Sequence, residues 1–529
     1  MMGKPGGGDR PIALTAGGYR CWSAARKCHV ADWETEWAGH WDKAVRKSDA
    51  LRAAILRHVK SEIAVKIGAS VVRVLWDCEK FYDLIDPKFL AEAAVTLRYP
   101  TLIMYMGMLI HLATRVVANA SCLSTPSMPS ISILAGCVQS VPWTRLYLWD
   151  ILDNLHRKYF PTTIEAWVDD LAQQVTGSRT AVIKSTVEAS LYLANTLQGR
   201  GARISAKSCL LASDKDVGDE IIRQLESKGL SLKHEQTARD MGINASLKTT
   251  RRIHVAKARR DKACKRAGVI KGFLKINKSA KKLLLTGVRP QAMWGHQASG
   301  WAPTTLMKMR ALFGACCGSR KAGGCTTTAI RMAFDFRMDP MVKQPVELLV
   351  MWVSILRDVS HLRSAIERIW DASRLRLLST RRRWMRVNGH IDAVIATLLD
   401  LGWDPIQPTK WTDEDDNDWA LDVDDQTVIP DLTHIIETSA ERRVWRMAAK
   451  HFCGKGLEHG ADLHVLQKHL KSLRRAGKAQ EAGILELMAQ GAFWPMTRRI
   501  GSIPLDECAP QDILWPRCES AVEAPVHQI

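Results

Sequence analysis

The stretch Ile164 to Val175, IEAWVDDLAQQV, sets two short apolar arms on either side of Asp169-Asp170, the pattern of a β-hairpin whose tip carries two acids. Upstream, Val71 to Trp76 (VVRVLW) is an apolar, β-branched run that predicts a buried strand ending at Asp77. A helix is expected to start at Asp86-Pro87, an acceptor at the cap followed by proline at the first helical position. Helical spacing also runs from Ser178 to about Gln198 and is ended by Gly199 and Gly201. Residues 1–246 therefore read as mixed α/β. A strand end and a hairpin tip can meet on neighbouring strands, which would gather Asp77, Asp169 and Asp170. Taken alone, an Asp-Asp pair is more often a pair of solvated turn residues. Gathered with a third acid, it has the oxygen donors that magnesium demands. Transfer of a nucleotidyl group uses two such ions roughly 3.5–4 Å apart.

Charge narrows the partners. The 529 residues carry 75 Lys+Arg against 55 Asp+Glu, a formal charge of +20. Of this excess, +13 lies between Lys248 and Lys282, where 14 Lys/Arg face the single acid Asp261. So dense a positive run repels itself unless a polyanion is near, which favours nucleic acid over an anionic membrane. A nuclear localisation signal could share the same charges. The longest apolar run, Thr101 to Ala113, includes His111 and is shorter than the roughly 20 residues of a membrane span. Met1 to Arg10 is glycine-rich with no apolar run behind it, unlike a secretory signal. The 13 cysteines are scattered rather than framed in pairs. That suits a reducing, intracellular setting in nucleus or cytoplasm.

At about 100–200 residues per domain, several units are expected. Residues 247–324 read as a basic helical segment, and 325–411 as a helical region rich in Trp and Arg. An acidic linker is expected over 412–438, with a last helical region over 439–529. Asp413, Asp415 and Asn417 alternate as in a calcium loop, but the glycine and distal glutamate such a loop needs are missing.

Six motifs in order carry a family resemblance: KPGGGDRPIAL (Lys4 to Leu14), DCEKFYD (Asp77 to Asp83), AGCVQSVPWTR (Ala135 to Arg145), WVDDL (Trp167 to Leu171), ARISAKSCL (Ala202 to Leu210) and ARDMGI (Ala238 to Ile243). From about Lys4 to Gly318 the chain resembles the reverse transcriptases of non-LTR, LINE-type retrotransposons. The resemblance implies a right-hand polymerase: partial fingers and an α+β palm over 1–246, a helical thumb over 247–324, and a mainly α-helical C-terminal region. It implies an RNA-directed DNA polymerase that adds deoxynucleotides to a primer 3′-hydroxyl on an RNA template. Asp77, Asp169 and Asp170 would hold two Mg2+ ions, for which Mn2+ could substitute.

By the same resemblance Arg10 would contact the incoming triphosphate, and Tyr82 would lie under the sugar against a 2′-hydroxyl. Gln139 and Pro142 would belong to the template side, where Ser140 departs from the glycine usual after that glutamine. Lys207 would protonate departing pyrophosphate, and Ala238 to Ile243 would form the primer-grip hairpin. Arg251, Arg252, Lys257, Arg259, Arg260, Lys262, Lys265 and Arg266 would grip the template–primer backbone. Read without that context, Arg10 and Lys207 are surface cations, Tyr82 is core and Gln139 is a polar residue at a helix start.

Trp515-Pro516-Arg517-Cys518 and His527 keep the frame of the family's Cys/His knuckle with tryptophan in the first cysteine position. Two ligands cannot close a tetrahedral zinc site, so no structural zinc is expected. The fingers are expected to be truncated, and no endonuclease or ribonuclease H pattern is visible, so insertion into DNA would draw on an activity from elsewhere. Three other readings stand beside this one: an inactive retroelement remnant, a maturase-like RNA-binding protein that keeps the fold, and an unrelated metal-dependent nucleotidyltransferase.

Overall fold

The structure is a computed structural model that describes residues 15–119, 122–248, 250–318, 323–422, 424–425, 427–451 and 453–492, and as main chain alone 2–3 and 9–10. The chain divides into two compact units, Met1–Arg252 and Ile253–Ile529. The division was expected after residue 246; it falls after Arg252, so Lys248, Arg251 and Arg252 belong to the first unit and the rest of the basic run to the second.

The first unit is mixed α/β around a five-stranded sheet. Its strands are β1 (Ser70–Trp76), β2 (Thr163–Trp167), β3 (Asp170–Gly177), β4 (Cys209–Ala212) and β5 (Lys233–His234), in the order β2-β3-β1-β4-β5. β1 pairs antiparallel with both β3 and β4, β2 pairs antiparallel with β3, and only β4–β5 is parallel. The first four strands with their crossover helices make a split β-α-β arrangement, in which β1 and β2 run parallel with β3 between them. The sequence places β1 at the centre because a strand buried on both faces needs a largely apolar run, here interrupted only by Arg73.

Alternation along β1 divides two cores. Val72, Val74 and Trp76 join Leu171, Val175 and Leu210 on one face. The helices there include α2 (Pro87–Thr96), α3 (Ser140–Lys158) and α4 (Arg179–Gly199), which contribute Leu90, Ile151 and Leu193. Val71 and Leu75 turn to the other face with Leu211, Ala245 and Leu247, beneath α1 (Ala50–Lys66) and the hairpin β6 (Ala238–Asp240) and β7 (Ile243–Ala245). The turn of that hairpin is Met241-Gly242, both with positive φ (46° and 87°), as tight two-residue turns require. α2 begins as its sequence predicts: the Asp86 side chain accepts from the Lys88 N–H at 2.8 Å, with Pro87 at the first position.

The second unit is helical. Its first helix, α5 (His254–Ile276), buries only Ala263, Ala267, Ile270 and Leu274, a single stripe spaced four, three and four apart. The tryptophan-rich segment forms α6 (Pro340–Leu356), α7 (Arg363–Leu378) and α8 (His390–Leu401). Trp352 and Trp370 stack at 5.6 Å, and their indole N–H groups donate to the Pro408 and Pro405 carbonyls at 3.0 and 2.8 Å.

Pro405 lies in β8 and Pro408 in the β8–β9 turn of a three-stranded antiparallel sheet, β8 (Asp404–Gln407), β9 (Lys410–Thr412) and β10 (Asp418–Ala420). Here the expectation of an acidic linker over 412–438 is corrected. Asp413 is buried in the β9–β10 turn, and helix α9 (Val428–Ala449) crosses the expected boundary at 438. Charge alone suggested a solvated spacer, but local donors and the arginines of α9 absorb it: Arg442 pairs with Glu414 at 3.2 Å and with Asp415, and Arg446 pairs with Glu414 at 3.1 Å. Two further helices follow, α10 (His464–Arg475) and α11 (Ala479–Ala489). The tail with Cys518 and His527 lies outside the described residues, as does most of Lys4 to Leu14. Among the described residues no helix is long and apolar enough to cross a membrane, and every cysteine is a free thiol.

Candidate active site

The hairpin forms where its pattern places it. Trp167 pairs with Asp170, so Val168 and Asp169 are the two turn residues. Val168 has φ of 60°, a left-handed conformation that glycine or asparagine normally supplies. A β-branched residue held there stores roughly 1–2 kcal/mol, and strain of this kind gathers at functional sites.

On the neighbouring strand the last ladder pair is Trp76 with Leu171, which brings Asp77 level with Asp170. The main chain at Asp77 is fastened from β4's side. Its N–H donates to Ser208 Oγ at 2.9 Å, the same hydroxyl donates to its carbonyl at 3.1 Å, and the Ser205 N–H donates there at 2.8 Å. Glu79 N–H donates to the Arg203 carbonyl at 2.8 Å, closing the loop that carries Lys207 onto the strand end. Lys207 is exposed in that loop, in a turn preceding β4 rather than on a strand.

Electrostatics shows that the three acids share one region. The Asp170 carboxyl is pushed up to about 6, by burial first and then by Asp169, Asp77 and Asp240, with Arg239 opposing. Its side chain is nonetheless exposed at the surface, so the walls around it displace water without sealing it off. Burial, with Asp77 and Asp169 adding to it, pushes the Cys78 thiol up to about 12. Burial and then Asp169 raise the Tyr82 hydroxyl, which a hydrogen bond with Thr144 lowers in part.

Hard carboxylate oxygens on level strand positions suit a divalent cation, whose charge would relieve the repulsion that raises Asp170. Among the described residues no three His, Cys, Asp or Glu side chains stand close enough to hold an ion as they are.

The other expected residues are placed differently from one another. Tyr82 sits half-buried in a 3-10 turn, Phe81–Leu84, directly after the Asp77 strand end. Gln139 is 1% exposed, and its Oε1 accepts the Tyr99 hydroxyl at 2.7 Å. So placed, it ties the start of α3 to Tyr99. Ser140, where glycine is usual in the resembling family, is buried and donates its hydroxyl to the Leu134 carbonyl. Arg10 lies in a short strand, Asp9–Arg10, paired with Met2–Gly3; its side chain lies outside the described residues.

On α5, Lys257, Lys262, Lys265 and Arg266 are exposed. Arg259 and Arg260 instead lie over the Trp294 and Trp301 rings at 6.0 and 5.7 Å, using part of their reach for packing.

One group went unmarked in the sequence. Beneath the acids, Arg57 donates to both Asp240 oxygens at 3.1 and 3.0 Å and to Glu165 at 2.9 Å. Arg73, fully buried in the middle of β1, donates to Gln174, Ser61 and the Arg57 carbonyl. Burial, opposed by Asp240 and reinforced by Arg57, lowers Arg73 to about 10. An arginine inside an apolar strand was the available signal, because such a charge requires a partner.

No protein-family model and no curated protein matches the sequence.

Proposed function

We propose that the Met1–Arg252 unit is the palm, with partial fingers, of an RNA-directed DNA polymerase of the retroelement type, and that α5 opens its thumb. The observation that carries this reading is the meeting of Asp77 with the Asp169-Asp170 turn at one end of a split β-α-β sheet. In support, the six motifs fall in order along the same chain, and the basic run follows them.

In this reading Asp77 and Asp169 hold the metals most directly and Asp170 supports them. Bound there, two Mg2+ ions, or Mn2+ in their place, supply charge for the primer 3′-hydroxyl and the departing pyrophosphate. Tyr82 supplies a wall beneath the sugar of the incoming dNTP. Lys207 gives its proton to the pyrophosphate. Gln139 acts through Tyr99 as a positioning residue. Exposed Lys257, Lys262, Lys265 and Arg266 meet the phosphates of the RNA template and DNA primer.

Primer extension on an RNA template with Mg2+ tests this: wild type extends, and Asp169→Ala does not. A second reading, a nucleic-acid-binding protein of the same fold without synthesis, is favoured by the burial of Gln139. It prevails if the purified chain binds template–primer but extends nothing with any divalent ion.

A further inference from the structure

The second unit contains a cavity of about 700 Å3, lined by residues of Ile253–Ile529 alone. Its walls come from Lys281, the segment Arg331 to Phe336, and the facing sides of α10 and α11. An adjoining depression of about 470 Å3 shares Arg331, Ala461 and Asp462 with it. This volume is within the range of about 300–1,000 Å3 usual for small-molecule sites and larger than one inorganic anion needs.

Three cations converge in it. Lys281 donates to the Ala333 carbonyl at 3.3 Å and stands 5.8 Å from the Phe334 ring. Burial lowers its ammonium; among the surrounding groups Arg474 and Lys471 push the same way and Cys317 and Glu486 oppose, so the three cations and Glu486 are within electrostatic reach of one another. Two of the cavity's cations are already paired, Arg474 with buried Glu486 and Arg331 with Glu441, while Asp335 and Asp462 accept the backbone N–H groups of Arg337 and His464 at 2.9 and 2.8 Å. Among the described residues neither Lys281 nor Lys471 has an ion-pair partner. Partly enclosed lysines without an ion-pair partner attract an anion.

The walls also offer flat faces. Phe334 and Phe336 are half-buried at the rim, and the Arg331 guanidinium lies 5.0 Å over the Phe336 ring. Aromatic rings and guanidinium planes are the surfaces on which bases stack when phosphates are held nearby.

We infer that this cavity binds one 5′-phosphorylated nucleotide unit, its phosphate on Lys281 and Lys471 with Arg474 behind, and its base against the Phe334–Phe336 rim. The unit is either a free nucleotide or one residue of a single strand. The inference does not depend on the polymerase reading.

The test uses the full chain in EDTA, so that no divalent ion serves the aspartates, and titrates labelled 5′-AMP. Saturable binding is expected. It weakens at least tenfold in Lys281→Gln/Lys471→Gln and in Lys471→Glu alone, an exposed position whose change spares the fold. It is unchanged in Asp169→Ala, and adenosine fails to displace the label. Displacement by a 5′-phosphorylated single-stranded RNA decamer assigns the unit to a strand; displacement by nucleotides but not by the decamer assigns it to a free ligand. The inference is overturned by absence of saturable binding, by binding that survives both lysine variants, by its loss in Asp169→Ala, or by inorganic phosphate competing as well as AMP.

Discussion

Two acidic turns in this protein are built from nearly the same letters and behave oppositely. Asp169-Asp170 closes the β2–β3 hairpin of the first unit, and Asp413 to Asn417 closes β9–β10 of the second. Asp170 is raised to about 6 by burial and by neighbouring acids. Asp413 is lowered: burial would raise it, but hydrogen bonds from the Trp419 indole, from Asn417 and from the Asp415 backbone outweigh that. Its oxygens accept from Trp419 at 3.0 Å and from the Asn417 N–H at 3.0 Å. Among the described residues no hydrogen bond reaches the Asp170 carboxylate. The second-unit turn directs its Asp413 charge into its own hydrogen bonds, whereas the Asp170 carboxylate of the first-unit turn is held among other acids. The count of acids does not separate the two, whereas the count of donors does.

The sharpest break of this contrast is Asp169→Ala. It is expected to remove several kcal/mol of transition-state stabilisation, about a thousandfold in extension rate, with little change in thermal stability. Equal loss of both would make the hairpin turn structural, like its counterpart. Next in size, Asp413→Ala should cost about 1–3 kcal/mol in chemical denaturation, because the indole and amide donors lose their acceptor, while extension persists.

Asp170→Asn separates the turns by pH. With its ordinary value of 3.8 raised to about 6, the folded chain holds this proton more tightly than the unfolded one, so stability is greatest below 3.8 and declines as pH rises through 6. The variant should therefore be more stable than wild type above pH 6, the gap closing by pH 4, and wild-type Mg2+ affinity should climb through the same window. Last, Val168→Gly should relieve the positive φ and gain at most about 1 kcal/mol, the release partly offset by the greater chain entropy of glycine. A loss of stability there would mean that the Val168 side chain contributes more by packing than its backbone costs.

The first unit was legible where local pattern determines structure. β1, the hairpin, the Asp86-Pro87 helix start and α4 fall where period and caps place them. Geometry that joins distant residues was not legible. The Arg57–Asp240 pair spans 183 positions, and nothing local distinguishes the buried Gln139 from a solvent-facing one. The β9–β10 turn was misread as a linker because its acids look solvated until the Trp419 indole and Asn417 are seen to converge on Asp413. Helix α9 starts eleven residues before the expected 439, because its cap residue Thr427 and first turns stand directly after the acidic stretch and share its solvated appearance in the sequence.

The register of β1 has a further consequence for how this protein can change. Trp76 is level with Leu171, and side chains alternate with a period of two, so the face presented by Asp77 depends on the parity of its distance from the last paired residue. Substitutions along Ser70 to Trp76 alter packing by degrees. Removing or inserting one residue there moves every side chain on one side of the change to the opposite face, displacing Arg73 from its partners or turning Asp77 away from Asp170. In a deletion scan this strand should therefore tolerate no single-residue change of length, even at positions where several replacements survive.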